Sequence, residues 1–346
     1  MSDAIWTWTA YTKYYLIMIN GHGNDTHLYD DIKIDFSSNI CPHIDHSFVL
    51  NHLNRCGQQL IAHYPEPEAK TLEYELAEEH AIDPRCVIVT NGATEAIYLV
   101  AQAFRLRPVI PQPTFSEYAD ACKMYPATHL DRTVLWLCNP NNPTGLVYPQ
   151  EFIKKMLGQY DLMVLDQSYE DYTDQKIMTP AEAVSKPHLI QIHSMTKAYG
   201  VPGLRLGYIT AHPLLADKLR RWLRPWSVSS FAIEAGLYLT VGIMKCRPDL
   251  KEAQRLRAEL QKIVGINVME TQTSFMLCSI EGHSAFELKK YLAKVHHLLI
   301  RDASNFHGLT EHHFRVASQL PEENDMLVAA IRQFFVDGPE EFALPF

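Results

Sequence analysis

From residue 60 onward the chain alternates short, continuous apolar runs with longer amphipathic ones. The segments "RCVIVT" (85–90), "TVLWLCN" (133–139), "DLMVLD" (161–166), "HLIQIHS" (188–194) and "LRLGYIT" (204–210) are too short for buried helices and too uniformly apolar for strands with one wet face. They predict strands covered on both sides. Between them, "TLEYELAEEH" (71–80) and "TEAIYLVAQAF" (94–104) carry helical spacing. Alternation of this kind predicts an α/β fold with a mostly parallel central sheet. Beyond about residue 230 the pattern changes. A charged helix at about 248–263 precedes the strand-like "INVMETQTSFMLCSI", a further helix, the strand "HFRVAS" (313–318) and a last amphipathic helix at 322–336. This tail predicts a smaller α+β C-terminal domain. The expected division is an N-terminal arm over 1–45, a large domain over 46–230 and a small domain over 231–346.

Composition narrows the reading. Lys and Arg number 31 against 40 Asp and Glu, a net charge of −9 over 346 residues. Phosphate backbones reward clustered cations, so nucleic acid is not an expected partner. The one basic run, "KLRRWLR" (218–224), reads as a helix face. The first 18 residues, "MSDAIWTWTAYTKYYLIM", are aromatic and apolar but too short and too interrupted by polar residues to span a membrane. They lack the pattern of a signal peptide. They read either as an ordered amphipathic arm or, preferably, as an extension upstream of translation from Met18. The seven cysteines include no CxxC pair. They are expected to be free thiols in a reducing, cytoplasmic compartment. The 17 histidines include no HExxH motif, and no metal site is expected.

Candidate chemistry gathers at the carboxyl ends of the predicted strands, where open parallel sheets bind ligands. Strand 85–90 runs into "TNGATEA", a glycine turn opening a helix. The free N–H groups of Gly92, Ala93 and Thr94 suit a phosphate, although Thr94 as an ordinary helix cap is an equal reading. Strand 133–139 runs into "NPNNPTG", a rigid loop that aims amides such as that of Asn142. Strand 161–166 ends at Asp166, costly in an apolar setting unless it meets a cation or donors, with Tyr169 just beyond. Strand 188–194 ends at Ser194, followed by Thr196 and Lys197, with Arg205 downstream. Hydroxyls, helix amides and a fixed guanidinium can hold a phosphate dianion. Asp166 can pair with a protonated ring nitrogen, Asn142 and Tyr169 can bond a phenolic oxygen, and Lys197 can form an imine. These are the partners that pyridoxal 5′-phosphate requires.

The motifs "YPEP", "TNGATEAIY", "PTFSEY", "NPNNPTG", "DQSY" and "SMTKAYGVPGLRLGY" occur in one order along the chain. In that combination the sequence resembles class I/II aminotransferases of the aspartate aminotransferase fold. It is most similar to the branch containing threonine-phosphate decarboxylase and histidinol-phosphate aminotransferase. The resemblance implies the PLP-dependent transferase fold type I. It implies that Lys197 is the imine lysine and general acid/base, that Asp166 partners the ring nitrogen, and that Asn142 and Tyr169 bind the phenolic oxygen. It implies Phe115 as a stacked ring and Gly92, Ala93, Thr94, Ser194, Thr196 and Arg205 as the phosphate cup. Tyr64 matches a tyrosine that reaches the cofactor phosphate of a neighbouring subunit, implying a homodimer with shared active sites. Arg315 matches the grip on a substrate α-carboxylate, and Arg301 an arginine aimed at a substrate phosphate. The opening "GHGND…DFSSNICP" resembles the decarboxylases and would put His22 and Asn39 near a small phosphorylated amino-acid-like substrate. The implied activity is decarboxylation of L-threonine O-3-phosphate, in cobalamin biosynthesis. The alternatives are transamination of histidinol phosphate, in histidine biosynthesis, or another reaction of the group.

Overall fold

The structure, a computed structural model, describes residues 25–242 and 245–338. Six strands form the large sheet, in the spatial order Val87–Thr90, Gly207–Ala211, Leu189–Ser194, Leu162–Asp166, His129–Cys138, Leu106–Val109. The last four pair in parallel, and only Gly207–Ala211 runs antiparallel to its two neighbours. The sheet is buried as the apolar runs require. The helix Gly92–Phe104 covers one face through Ile97 and Val100, which pack with Ile190 and Ile209. The helix Lys70–Glu79 covers another part through Leu72 and Leu76, against Val87 and Val89.

Several predicted limits shift, for local reasons. The fifth run becomes a strand only from Gly207, because Pro202–Leu204 form a 3₁₀ turn and Arg205 takes a left-handed conformation (φ 54°). The run after residue 265 is two antiparallel strands, Ile266–Val268 and Phe275–Ile280. Hydrogen bonds among Thr271, Thr273 and the Phe275 carbonyl organise the turn between them. Two elements fall outside the predicted ones: the helix Ser47–Ala62 and the edge strand Leu106–Val109, whose proline is tolerated because it lies at the sheet margin.

The C-terminal lobe is a four-stranded sheet, ordered Arg301–Asp302, His313–Ala317, Phe275–Ile280, Ile266–Val268. Its core includes Leu256, Leu288, Phe314, Ile331 and Phe334, contributed by the helices Leu250–Gln261, Ala285–Tyr291 and Pro321–Asp337 as well as the sheet. Residues Ile34–Asp35 pair with Leu298–Leu299 of this lobe, and Phe36 is buried in its core. The helix Ser230–Gly242 packs against Ser47–Ala62 and Lys70–Glu79, on the large sheet's side.

One expectation is corrected. Cys41 and Cys246 form a disulfide with Cα atoms 6.3 Å apart, so the cysteines are not all free thiols; the other five are. The two lie 205 residues apart, and only the packing of both beside Ala198 and Tyr172 brings them together. Among the described residues no helix is long and apolar enough to cross a membrane.

Candidate active site

Register assembles the site. Cys138 pairs with Asp166, and Asp166 with Ile192, so the polar ends of three parallel strands align along one edge. The antiparallel strand begins at that same edge: Gly207 lies between Thr90 and Ser194. A Cβ on Gly207 would fall 2.6 Å from the Ala93 nitrogen and 2.8 Å from the Gly92 carbonyl carbon. The missing side chain therefore lets the strand press against the start of the helix. Gly92 has φ +78°, and a Cβ there would meet the Arg205 guanidinium at 2.6 Å. Together these glycines leave a cradle between helix amides, guanidinium and hydroxyls. Ser194 Oγ lies 2.8 Å from Thr196 Oγ1 and caps the short helix Met195–Ala198 that carries Lys197. The helix over the cradle begins at Gly92 with Asn91 in the cap position, so Thr94 lies in its first turn and is not the cap.

One cavity is lined by Ala93, Thr94, Phe115, Asn142, Asp166, Tyr169, Ser194, Thr196, Lys197 and Arg205. Ten of the expected cofactor residues thus meet in one place, with Gly92 directly beneath Arg205. Asp166 is buried, and its two oxygens accept from the Tyr118 hydroxyl at 2.7 Å and the Ser168 N–H at 2.9 Å. No cation lies within salt-bridge distance of it among the described residues, an arrangement with room for a protonated ring nitrogen. Lys197 is largely buried. Loss of hydration, with Arg315 and Arg205 nearby and Asp166 opposing, lowers its pKa to about 8. A neutral amine is therefore accessible near neutral pH, as a nucleophile needs. Tyr169 is pushed up to about 12, chiefly by burial, and so holds its phenolic proton for donation.

Arg315 is buried. Its Nη1 donates to Asn142 Oδ1 at 2.5 Å and its Nη2 to the Ser37 carbonyl at 2.5 Å. Asn142 thereby accepts through its oxygen and keeps its amide N–H groups for a ligand. Asn39 donates to the Tyr169 hydroxyl at 3.4 Å, and its buried oxygen has no hydrogen-bond partner. Arg301 stands directly across the sheet from Arg315, also buried, with Nη2 donating to Asn305 Oδ1 at 2.9 Å. Burial, then the neighbouring Arg315, lowers its pKa to about 10. Tyr64 does not join this cavity: it is 87% exposed, its ring 5.6 Å from that of Trp226. His22 lies outside the described residues. Sequence reasoning missed Tyr118, although it stands inside the quoted "PTFSEY", and the Ser37 carbonyl, which no side-chain pattern signals. Away from the cavity, ligand atoms of His52, Cys56 and Glu234 lie within 4.8 Å of one another. His52 and Glu234 already satisfy each other at 2.7 Å.

Group by group, this cavity fits pyridoxal 5′-phosphate, and it defines a PLP-dependent enzyme. The chain matches the family model for aminotransferase class I and II over residues 31–132 and 126–331, and it belongs to that family. A relative from Caldanaerobacter subterraneus subsp. tengcongensis, assigned as a threonine-phosphate decarboxylase, is 31% identical over 92% of this chain and 94% of its own length. Histidinol-phosphate aminotransferase of the same organism is 29% identical over 78% of this chain and 84% of its own. The crystal structure of L-threonine-O-3-phosphate decarboxylase from Porphyromonas gingivalis superposes with a TM-score of 0.82 at 34% identity, covering 88% of this chain and 99% of that one.

Proposed function

We propose that this enzyme decarboxylates an O-phosphorylated α-amino acid of the L-threonine O-3-phosphate kind, as a cytoplasmic homodimer with shared active sites. The observation that carries the reading is the cross-strand pair Arg301 and Arg315. Two buried guanidinium groups side by side repel each other and are desolvated, which is tolerable where a ligand brings two anionic groups. A phosphorylated amino acid has both a carboxylate and a phosphate. Histidinol phosphate has only the phosphate. The names of the relatives support the same reading.

Bound pyridoxal phosphate supplies an electron-poor ring that accepts the electron pair of a bond to the substrate's Cα. The chain's own residues do the rest. Gly92, Ala93, Thr94, Ser194, Thr196 and Arg205 hold the cofactor phosphate, and Phe115 stacks on the ring. Asp166, itself oriented by Tyr118, keeps the ring nitrogen protonated. Asn142 and Tyr169 donate to the phenolic oxygen. Arg315 grips the substrate carboxylate and Arg301 its phosphate, with Asn39 beside Tyr169. Together they would fix how the substrate's Cα is held against the cofactor, and so which of its bonds is labile. Carbon dioxide leaves, and Lys197 returns a proton to Cα. Tyr64, exposed on its own subunit, reaches a partner's phosphate cup.

The test is a product assay on the cofactor-loaded protein. With O-phospho-L-threonine, release of carbon dioxide and 1-amino-2-propanol phosphate is expected. Glutamate formed only from L-histidinol phosphate and 2-oxoglutarate would replace the decarboxylase reading with the aminotransferase one.

A further inference from the structure

We infer that His193 and Glu170 form a buried positioning pair that holds the two sides of the cofactor site in register. The inference rests on the cofactor roles proposed above for Tyr169 and Lys197.

Neither residue lines the cavity, yet each adjoins one that does. His193 precedes Ser194 in the strand that leads to Lys197, and Glu170 follows Tyr169. His193 is fully buried, and its Nδ1 lies 3.0 Å from Glu170 Oε1. The proton inventory fixes which way Nε2 bonds. Gln191 Nε2 donates to the Met178 carbonyl at 3.1 Å and to Gln167 Oε1, so Gln191 Oε1 is an acceptor. Thr210 gives its only hydroxyl proton to that oxygen at 2.9 Å. Thr210 Oγ1 can then only accept from His193 Nε2, 2.9 Å away, so Nε2 carries a proton. The Nδ1 to Oε1 contact requires a second proton between ring and carboxylate. Burial opposes an ionised Glu170, but the charge and hydrogen bond of His193 outweigh it and hold the carboxyl below its ordinary range.

The surroundings agree. Tyr208 stacks on the His193 ring with centroids 4.5 Å apart and planes at 11°, and its hydroxyl meets His80 Nε2 at 2.7 Å. Burial, then His193, pushes the His80 pKa down to about 4, so His80 stays neutral. Lys245 lies 3.4 Å from Glu79 and 3.9 Å from Asp171. Glu79 and Asp171 thus face Lys245, next to the Glu170 carboxylate that meets His193. The pair ties the turn bearing Tyr169 to the strand bearing Ser194, which otherwise meet through backbone contacts such as Gln167 N–H to the Ile192 carbonyl at 2.8 Å.

The experiment uses the cofactor-loaded protein, His193→Gln, Glu170→Gln and the double variant. Readouts are the pH titration of the visible cofactor band, the Kd for pyridoxal phosphate, kcat, and thermal unfolding without cofactor. Each single variant is expected to shift the band's titration and lower kcat about tenfold or more, as small misplacements of reacting groups do. The double variant is expected to fall short of the product of the singles by about threefold or more. An unchanged band titration and Kd in a folded His193→Gln, or fully multiplicative effects, would overturn the positioning role. Nitrogen-15 spectra of the wild-type ring test the proton inventory without any variant: a proton on Nε2 at pH 7 is expected, and an Nε2 without one would overturn the anchoring of His193 on Thr210. Lys197→Ala serves as the separate control. If the imine band persists there, Lys197 is not the imine lysine, and if wild-type protein shows no such band with added pyridoxal phosphate, the cofactor reading has failed, whatever the His193 variants do.

Discussion

Lys197 takes its character from what surrounds it. With a folded-state pKa of about 8 against an ordinary 10.5, burial penalises its charged form. Below pH 8 the lysine is protonated in both folded and unfolded chains, and the penalty is present in full. Between pH 8 and 10.5 the unfolded chain binds the extra proton, so stability rises with pH, and above 10.5 the penalty is gone. Lys197→Met should therefore stabilise the cofactor-free protein at pH 7 by about 2 kcal/mol, after discounting for partial exposure, and flatten the pH dependence. Urea unfolding at pH 7 and 10 checks this, and equal slopes in both proteins would refute it. The same variant should lose the visible band and at least about 10³-fold in turnover. Arg301→Ala should raise KM for a phosphorylated substrate by about tenfold or more and leave KM for its unphosphorylated analogue nearly unchanged, since a charge-assisted contact contributes roughly 1.5–3 kcal/mol. Equal effects on both would remove its role as the phosphate grip.

Among the elements, the decisive contact is that of the strand Gly207–Ala211 with the start of the helix Gly92–Phe104. The strand presses on backbone that cannot move aside as a flexible side chain could. Gly207→Ala should therefore cost roughly 1–3 kcal/mol and weaken cofactor binding beyond that loss of stability, because it opens the phosphate cup. Melting curves with and without pyridoxal phosphate separate the two effects. Elements of this kind were legible in the sequence because strands covered on both faces must be apolar throughout. The edge strand Leu106–Val109, carrying Arg107 and Pro108, was not, because a margin position relaxes that demand. The helix Ser47–Ala62 buries only Val49 and Leu53 deeply, leaving a weak apolar stripe to detect.

For the whole molecule, the proposed shared site turns on Tyr64, which is exposed and lies outside the cavity of its own chain. Sedimentation should report a dimer. Mixing Lys197→Ala with Tyr64→Ala should recover activity: of the two sites in each mixed dimer, one would have both residues intact. Recovery limited to the level of the weaker parent would argue against shared sites. The lobes also meet around the site, since Arg315 of the small sheet reaches Asn142 of the large domain and Ser37 of the N-terminal segment.

The sequence by itself determined the fold class, the cofactor and most of the residues that line the cavity. Those residues sit in short local motifs at strand ends, where chain direction alone decides what faces the ligand. It also supplied Arg301 and Arg315 as candidates, but not that they stand directly opposite each other. Tertiary structure alone decided that pairing, the clamp of Tyr118 on Asp166, the joining of Cys41 to Cys246, and the meeting of His193 with Glu170. Each links residues distant in the chain, and their proximity is set by sheet register and lobe packing, which no local pattern of residues encodes.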